Sequence, residues 1–270
     1  MRSLILDRSY LQAAPATRVA NLCGEFRVIM SESLFFEVLT ADTEVRRTLF
    51  AKFPQRENPV TLVGHVGSLI RHEITNRHPA SPVEELSLTT RFVFNAGLAT
   101  GQFQLTQPHQ QGIADWEQHQ LESQHSFLAR YKVAHSWFPE VNTYRPGNDD
   151  AAIRVARDRV AKDHSFVASI YDQIKGRDFP RMVEIGPAWA LFRWLQVQLL
   201  YTLEYIRRYG PGNDKVVSRR VANDVIDSQY VTTALLADGL ATNDVPLSQI
   251  YLCLKPHGQL LRPDRLPDLQ

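Results

Sequence analysis

Both ends of this chain read as alternating strand and helix, and the long stretch between them reads as helix alone. That split constrains the fold more than any single motif, because two α/β ends too short to bury separate cores must meet in one sheet. Leu4-Ile5-Leu6 is the short apolar run of a strand covered on both faces, and it ends at Asp7. Tyr10 to Leu22 predicts a helix and Phe26 to Met30 a second strand. Ser31 is placed to cap a helix from Glu32 to Leu39, whose first turn carries an acid. Asp42 caps a further helix, Thr43 to Phe53, closed by Pro54.

From residue 57 to 212 helical spacing takes over. Val60, Val63, Val66, Leu69, Ile70 and Ile74 recur at helical spacing, as do Trp116, Leu121, Phe127, Leu128 and Tyr131 further on. Arg91 to Phe94 fits either type of element. Asp149 or Asp150 starts a helix running to Ile174, and Ile185 to Tyr209 carries the strongest stripe, with Trp189, Phe192 and Trp194 read as core. Gly210-Pro211-Gly212 breaks it. Beyond the break, Ala222 to Ala237 predicts a helix stopped by Gly239, and Leu240 to Thr242 and Ile250 to Leu254 predict strands. The tail, with Pro263 and Pro267, predicts an irregular arm. The expected architecture is an α/β core built from residues 1–56 and 213–270, an open parallel sheet flanked by helices, with a large helical insertion over 57–212.

With 44% hydrophobic and 22% charged residues, this is the composition of a globular chain. A formal charge of +1 gives no whole-molecule attraction for a polyanion, so nucleic acid would have to be met by a local patch. Arg207, Arg208, Lys215, Arg219 and Arg220 supply one, with Asp214 the only acid among them, and are candidates to hold substrate phosphates. Cys23 and Cys253 make no disulfide framework or metal clamp. Asp7 interrupts the N-terminus before a signal-peptide core can form, and Arg193 and Glu204 break up the most apolar stretch, so a cytoplasmic protein with no membrane partner is expected. The histidines form no HExxH pair, and Gly64-His-Val-Gly67 lacks the Lys and the preceding strand of a phosphate loop.

The acids carry more. Asp7 ends the first strand, Asp244 follows the strand after Gly239, Glu37 lies on the helix after the second strand, and Asp227 lies early on the helix leading to Asp244. Open α/β sheets place functional groups at the carboxyl ends of their strands. Four carboxylates converging there repel one another unless a cation sits between them, and an all-oxygen donor set suits Mg²⁺ or Mn²⁺ better than zinc. Glu32 competes with Glu37 for the second position, and Asp224, one turn before Asp227, competes with or supports the third.

Three segments carry a resemblance: Leu4-Ile-Leu-Asp7-Arg-Ser-Tyr-Leu11, Leu34-Phe-Phe-Glu37-Val-Leu39, and Asp227-Ser-Gln-Tyr-Val-Thr-Thr-Ala-Leu-Leu-Ala-Asp-Gly-Leu-Ala-Thr-Asn-Asp244. Together they resemble the motifs of PIN-domain nucleases, in the same order. The resemblance covers residues 1–55 and 215–255 and implies nothing about the helical middle. It implies a metal-dependent endonuclease, RNA favoured over DNA, with Asp7, Glu37, Asp227 and Asp244 as catalytic metal-binding acids and Thr242 and Asn243 supporting the last. It also implies a role as toxin or defence effector, an inhibitory or regulatory protein partner, and room for self-association. The alternative of a different class is a catalytically silent PIN-like scaffold or nucleic-acid- or protein-binding module.

Overall fold

A computed structural model describes residues 1–56, 58–83, 96–100, 105–147, 149–175, 179, 181, 185–213 and 218–264. In chain order the elements are β1 (Ser3–Leu6), α1 (Arg8–Ala13), α2 (Ala16–Glu25), β2 (Arg27–Ser31), α3 (Glu32–Leu39), α4 (Thr43–Phe50), β3 (Thr61–Val63), α5 (Val66–Asn76), α6 (Ala96–Thr100) and α7 (Gln107–Val133). Then follow α8 (Ala151–Lys162), α9 (His164–Ile174), α10 (Ala190–Tyr209), α11 (Ser218–Leu236), β4 (Gly239–Ala241), α12 (Val245–Leu254) and β5 (Gln259–Leu261).

The two ends of the chain meet as expected. Their strands, with Thr61–Val63 added from the stretch expected to be helical insertion, form one five-stranded, all-parallel sheet in the order β3-β2-β1-β4-β5, flanked by helices. β1 lies in the middle, with Ile5 opposite Ile29 on one side and Leu240 on the other. All four of its residues are buried, which is why it reads as a continuous apolar run and not as an alternation. The chain builds outward from β1 through β2 to β3, then returns to the other side of β1 for β4 and β5. The reversal sets a switch point between β1 and β4, the place where open α/β sheets carry their functional crevices. Gly239 starts β4 where there is no room for a side chain: a Cβ would stand 2.8 Å from the Gln259 carbonyl oxygen and 2.9 Å from Leu4 Cδ1.

Between β3 and β4 the described chain is helical. α10 buries 14 of its 20 residues, and it packs on α11 as well as on α5, α7, α8 and α9. A helix buried over most of its surface is a central one. Its first turn is held by a remote acid. Glu73, fully buried on α5, accepts from the amides of Ala190 at 2.6 Å and Leu191 at 2.9 Å, and from Ala80 at 3.0 Å. The carboxylate supplies acceptors that amino-terminal amides lack within the helix, where the dipole favours negative charge.

Several local expectations are corrected. Val60 and Val63 do not continue into the helix of Ile74: Thr61–Val63 is the edge strand β3, and α5 begins at Val66. Three residues are too short a run for period two to be told from the helical period that follows. Tyr10 to Leu22 divides at Pro15, which opens α2, and the helix to Ile174 divides at Asp163, whose side chain accepts from the Phe166 amide at 3.0 Å. Ile250 to Leu254 is the end of α12 and not a strand, because Asp244 and Pro246 form a helix start that overrides the β-prone side chains behind them. The fifth strand, Gln259–Leu261, falls in the tail expected to be irregular. Arg91 to Phe94 lies outside the described residues.

Candidate active-site crevice

Asp7 follows β1 directly and is 3% exposed. Two hydroxyls converge on its Oδ2: Thr242 Oγ1 donates at 2.6 Å, and Ser9 Oγ donates as well. Each hydroxyl is aimed by the backbone after β4, since the Asn243 amide donates to Ser9 Oγ at 2.9 Å and the Asp244 amide to Thr242 Oγ1 at 3.0 Å. The two strand ends are thus stitched together around one carboxylate. Burial raises the Asp7 pKa above the usual carboxylate value, against the lowering effect of the Ser9 and Thr242 hydrogen bonds. The field of Glu37 adds to the rise.

Asp227 projects from α11. Its half-buried carboxylate accepts no hydrogen bond and forms no ion pair among the described residues. Burial pushes its pKa well above the usual range, and Asp7, Asp244, Asp224 and Glu37 all push in the same direction. The acids singled out at the two ends of the chain therefore share one electrostatic neighbourhood. Tyr201 of α10 is buried in the same field, held as a neutral phenol first by burial and then by Asp227, Asp224, Asp244 and Asp7.

The other acids are engaged. Glu37 takes Arg8 Nη1 at 2.6 Å on one oxygen and the Tyr230 hydroxyl at 2.7 Å on the other. Asp224 accepts from the Tyr205 hydroxyl at 2.7 Å, with Arg220 Nε 3.7 Å away. Asp244 caps α12 by accepting from the Leu247 amide at 2.7 Å. Glu32 lies apart from this group, accepting from the His65 amide at 3.3 Å beside a separate cavity. Among the described residues no three His, Cys, Asp or Glu side chains are drawn into a ready-made metal shell.

The basic cluster is largely spent within α10. Arg207 grips Glu204 with Nε at 2.9 Å and Nη2 at 2.7 Å, and Arg208 Nε reaches the same carboxylate at 2.5 Å. Arg208 and Arg220 still cast their fields on Asp224. Lys215 and the side chain of Arg219 lie outside the described residues.

Sequence reasoning missed Ser9, Arg8, Tyr201, Tyr205 and Tyr230. Ser9 stands two residues after Asp7, and Tyr230 one turn after Asp227, spacings that place them beside the acids. No pattern in the chain marks Tyr201 or Tyr205, which reach the acids only through the packing of α10 on α11. No family model, curated protein or solved structure matches the chain.

Proposed function

We propose that this chain is a metal-dependent nuclease with a PIN-like core, hydrolysing phosphodiester bonds and acting on RNA before DNA. One observation carries the reading: Asp227, without a partner among the described residues, stands in the combined field of Asp7, Asp224, Asp244 and Glu37 near the switch point of the sheet. A half-buried carboxylate among like charges is costly until a cation arrives. The donor set is all oxygen, which fits Mg²⁺ or Mn²⁺.

Asp7 and Asp227 would hold the ion, with Glu37, Asp224 and Asp244 around them. When bound, such an ion polarises a phosphodiester and acidifies a coordinated water. The chain supplies the rest. Ser9 and Thr242 fix the orientation of Asp7, and Asn243 and Asp244 fix those hydroxyls through their amides. Tyr230 and Arg8 hold Glu37 in place from opposite oxygens. Arg220, about half exposed beside Asp224, is placed to meet a substrate phosphate.

A silent binding module is the second reading, and the Arg8–Glu37 pair favours it, because a ligand carboxylate already neutralised by arginine has less to give a metal. The purified chain with labelled single-stranded RNA and DNA, in Mn²⁺ or Mg²⁺, separates the two. The nuclease reading expects metal-dependent cleavage that disappears in Asp7→Asn and Asp227→Asn. Cleavage surviving both substitutions, or binding of nucleic acid without cleavage by the wild type, overturns it.

A further inference from the structure

A second concave site lies across α11 from the acid crevice. It is a cavity of about 560 Å³ past the carboxyl ends of β2 and β3, walled by α3, α5, α7, α10 and α11. Val225, Ser228 and Gln229 face it, whereas Asp227 and Tyr230 occupy the other side of the same helix. The volume is in the range of small-molecule sites.

Its charge is mixed: Glu32, Asp115 and Glu122 line it along with Arg71 and Arg130. Arg130 of α7 lines the cavity, and among the described residues no carboxylate is within ion-pair distance of it. Its partners are neutral: Ser126 Oγ at 2.6 Å, Gln198 Oε1 at 2.9 Å, and the Trp194 ring, 4.9 Å from the guanidinium carbon. Burial lowers its pKa only to about 10, so the charge persists at neutral pH. An uncompensated guanidinium in a recess is a preformed place for an anion, and its planar fork suits phosphate. His119 stands at the rim, its ring centroid 5.7 Å from that of His65.

The wall also lacks partners for a ring edge. Among the described residues Gln120, 7% exposed, has an Oε1 with no hydrogen-bond donor, and Trp116 has an indole N–H with no acceptor. Each residue lines the cavity, with the unpaired atom itself closed off from its space until the side chain turns. Buried polar atoms are normally satisfied, and an unpaired donor and acceptor on one helix face ask for a group offering both. Gly64-His-Val-Gly67, which lacks the Lys of a phosphate loop, does follow a strand, β3, and His65 and Gly67 line this cavity.

We propose that this cavity binds a nucleoside monophosphate, its phosphate on Arg130 and its base along Trp116 and Gln120, separately from the acid crevice. The proposal does not rest on the nuclease reading, and the test keeps them apart. Calorimetric titration in EDTA, with the 5′-monophosphates of adenosine, guanosine, cytidine and uridine, is compared with the matching nucleosides and with inorganic phosphate. At least one monophosphate is expected to bind tenfold or more tightly than its nucleoside and than phosphate. Arg130→Gln is expected to weaken it about tenfold or more. His119→Ala, at an exposed rim position that leaves the fold intact, is expected to weaken it severalfold, and Asp227→Asn to leave it unchanged. Absence of binding by all four monophosphates at millimolar concentration overturns the proposal. So does binding unaltered by both Arg130→Gln and His119→Ala.

Discussion

At the residue scale, Asp227 sets stability against function. Its folded pKa is raised above the unfolded value, so the folded state holds its proton more tightly, and the site costs stability as pH rises out of the acid range. Asp227→Asn is therefore expected to stabilise the chain at pH 7 and, on the proposed nuclease reading, to abolish cleavage. Thermal unfolding with and without Mn²⁺ checks this: the ion should raise the midpoint of the wild type and leave that of the variant where it is. His65 runs the opposite way. Burial first, then His119 and Arg71, lowers its pKa to about 4, so between pH 6.5 and 4 the unfolded chain takes up a proton that the folded one refuses. Stability is expected to fall as pH drops through that window, by at most about 3 kcal/mol. Denaturant titrations of wild type and His65→Asn at pH 7 and pH 4.5 read it, and parallel losses in the two proteins would exclude His65 as the cause. Asp7, Asp227 and Asp244 were legible because strand ends and a joined helix-turn-acid pattern mark them in one dimension. The tyrosines that hold Glu37 and Asp224 were not, since each comes to its acid by the packing of whole helices.

At the element scale, the sequence marks a helix start where the cap is local and is mute where it is remote. Ser31, Asp163 and Asp244 each cap the helix that follows them in the chain. The first turn of α10 is held by Glu73, more than a hundred residues away, which reads in the sequence as one more helical charge. Glu73→Ala leaves the three amides of Ala80, Ala190 and Leu191 without an acceptor, at an expected cost of about 3–5 kcal/mol. Glu73→Gln keeps one carbonyl oxygen and should cost less. Urea midpoints of the two variants rank them, and equal losses would mean that charge on the α10 terminus, not hydrogen bonding, is what Glu73 provides. The same contrast explains α12 and β5. Ile250, Tyr251 and the leucines after them suggest a strand over Ile250 to Leu254, but Asp244 with Pro246 starts a helix, and β5 is carried by Gln259–Leu261 against β4. Three residues in an edge strand leave too little periodicity to read, which is also why β3 was missed.

At the scale of the whole molecule, the sheet was foreseeable because its central strands bear their burial openly, whereas the cavity was not, because its walls come from five separate helices. The same interleaving bears on whether the helical middle is a domain of its own. α10 lies within the stretch read as an insertion, yet it packs most extensively on α11, which in turn rests on β1 and β4. No layer separates the middle from the core, so its loss exposes the buried faces of both. One cooperative transition is therefore expected over the whole chain. All four tryptophans, Trp116, Trp137, Trp189 and Trp194, lie in the helical middle, so their emission reports that part alone. Amide exchange at Leu4, Ile5 and Leu6 reports the sheet. Through a urea series, loss of tryptophan emission and loss of β1 protection should share one midpoint. Two separated midpoints would mean that the middle folds and unfolds by itself, and that α10 adheres to the sheet layer instead of being built into it.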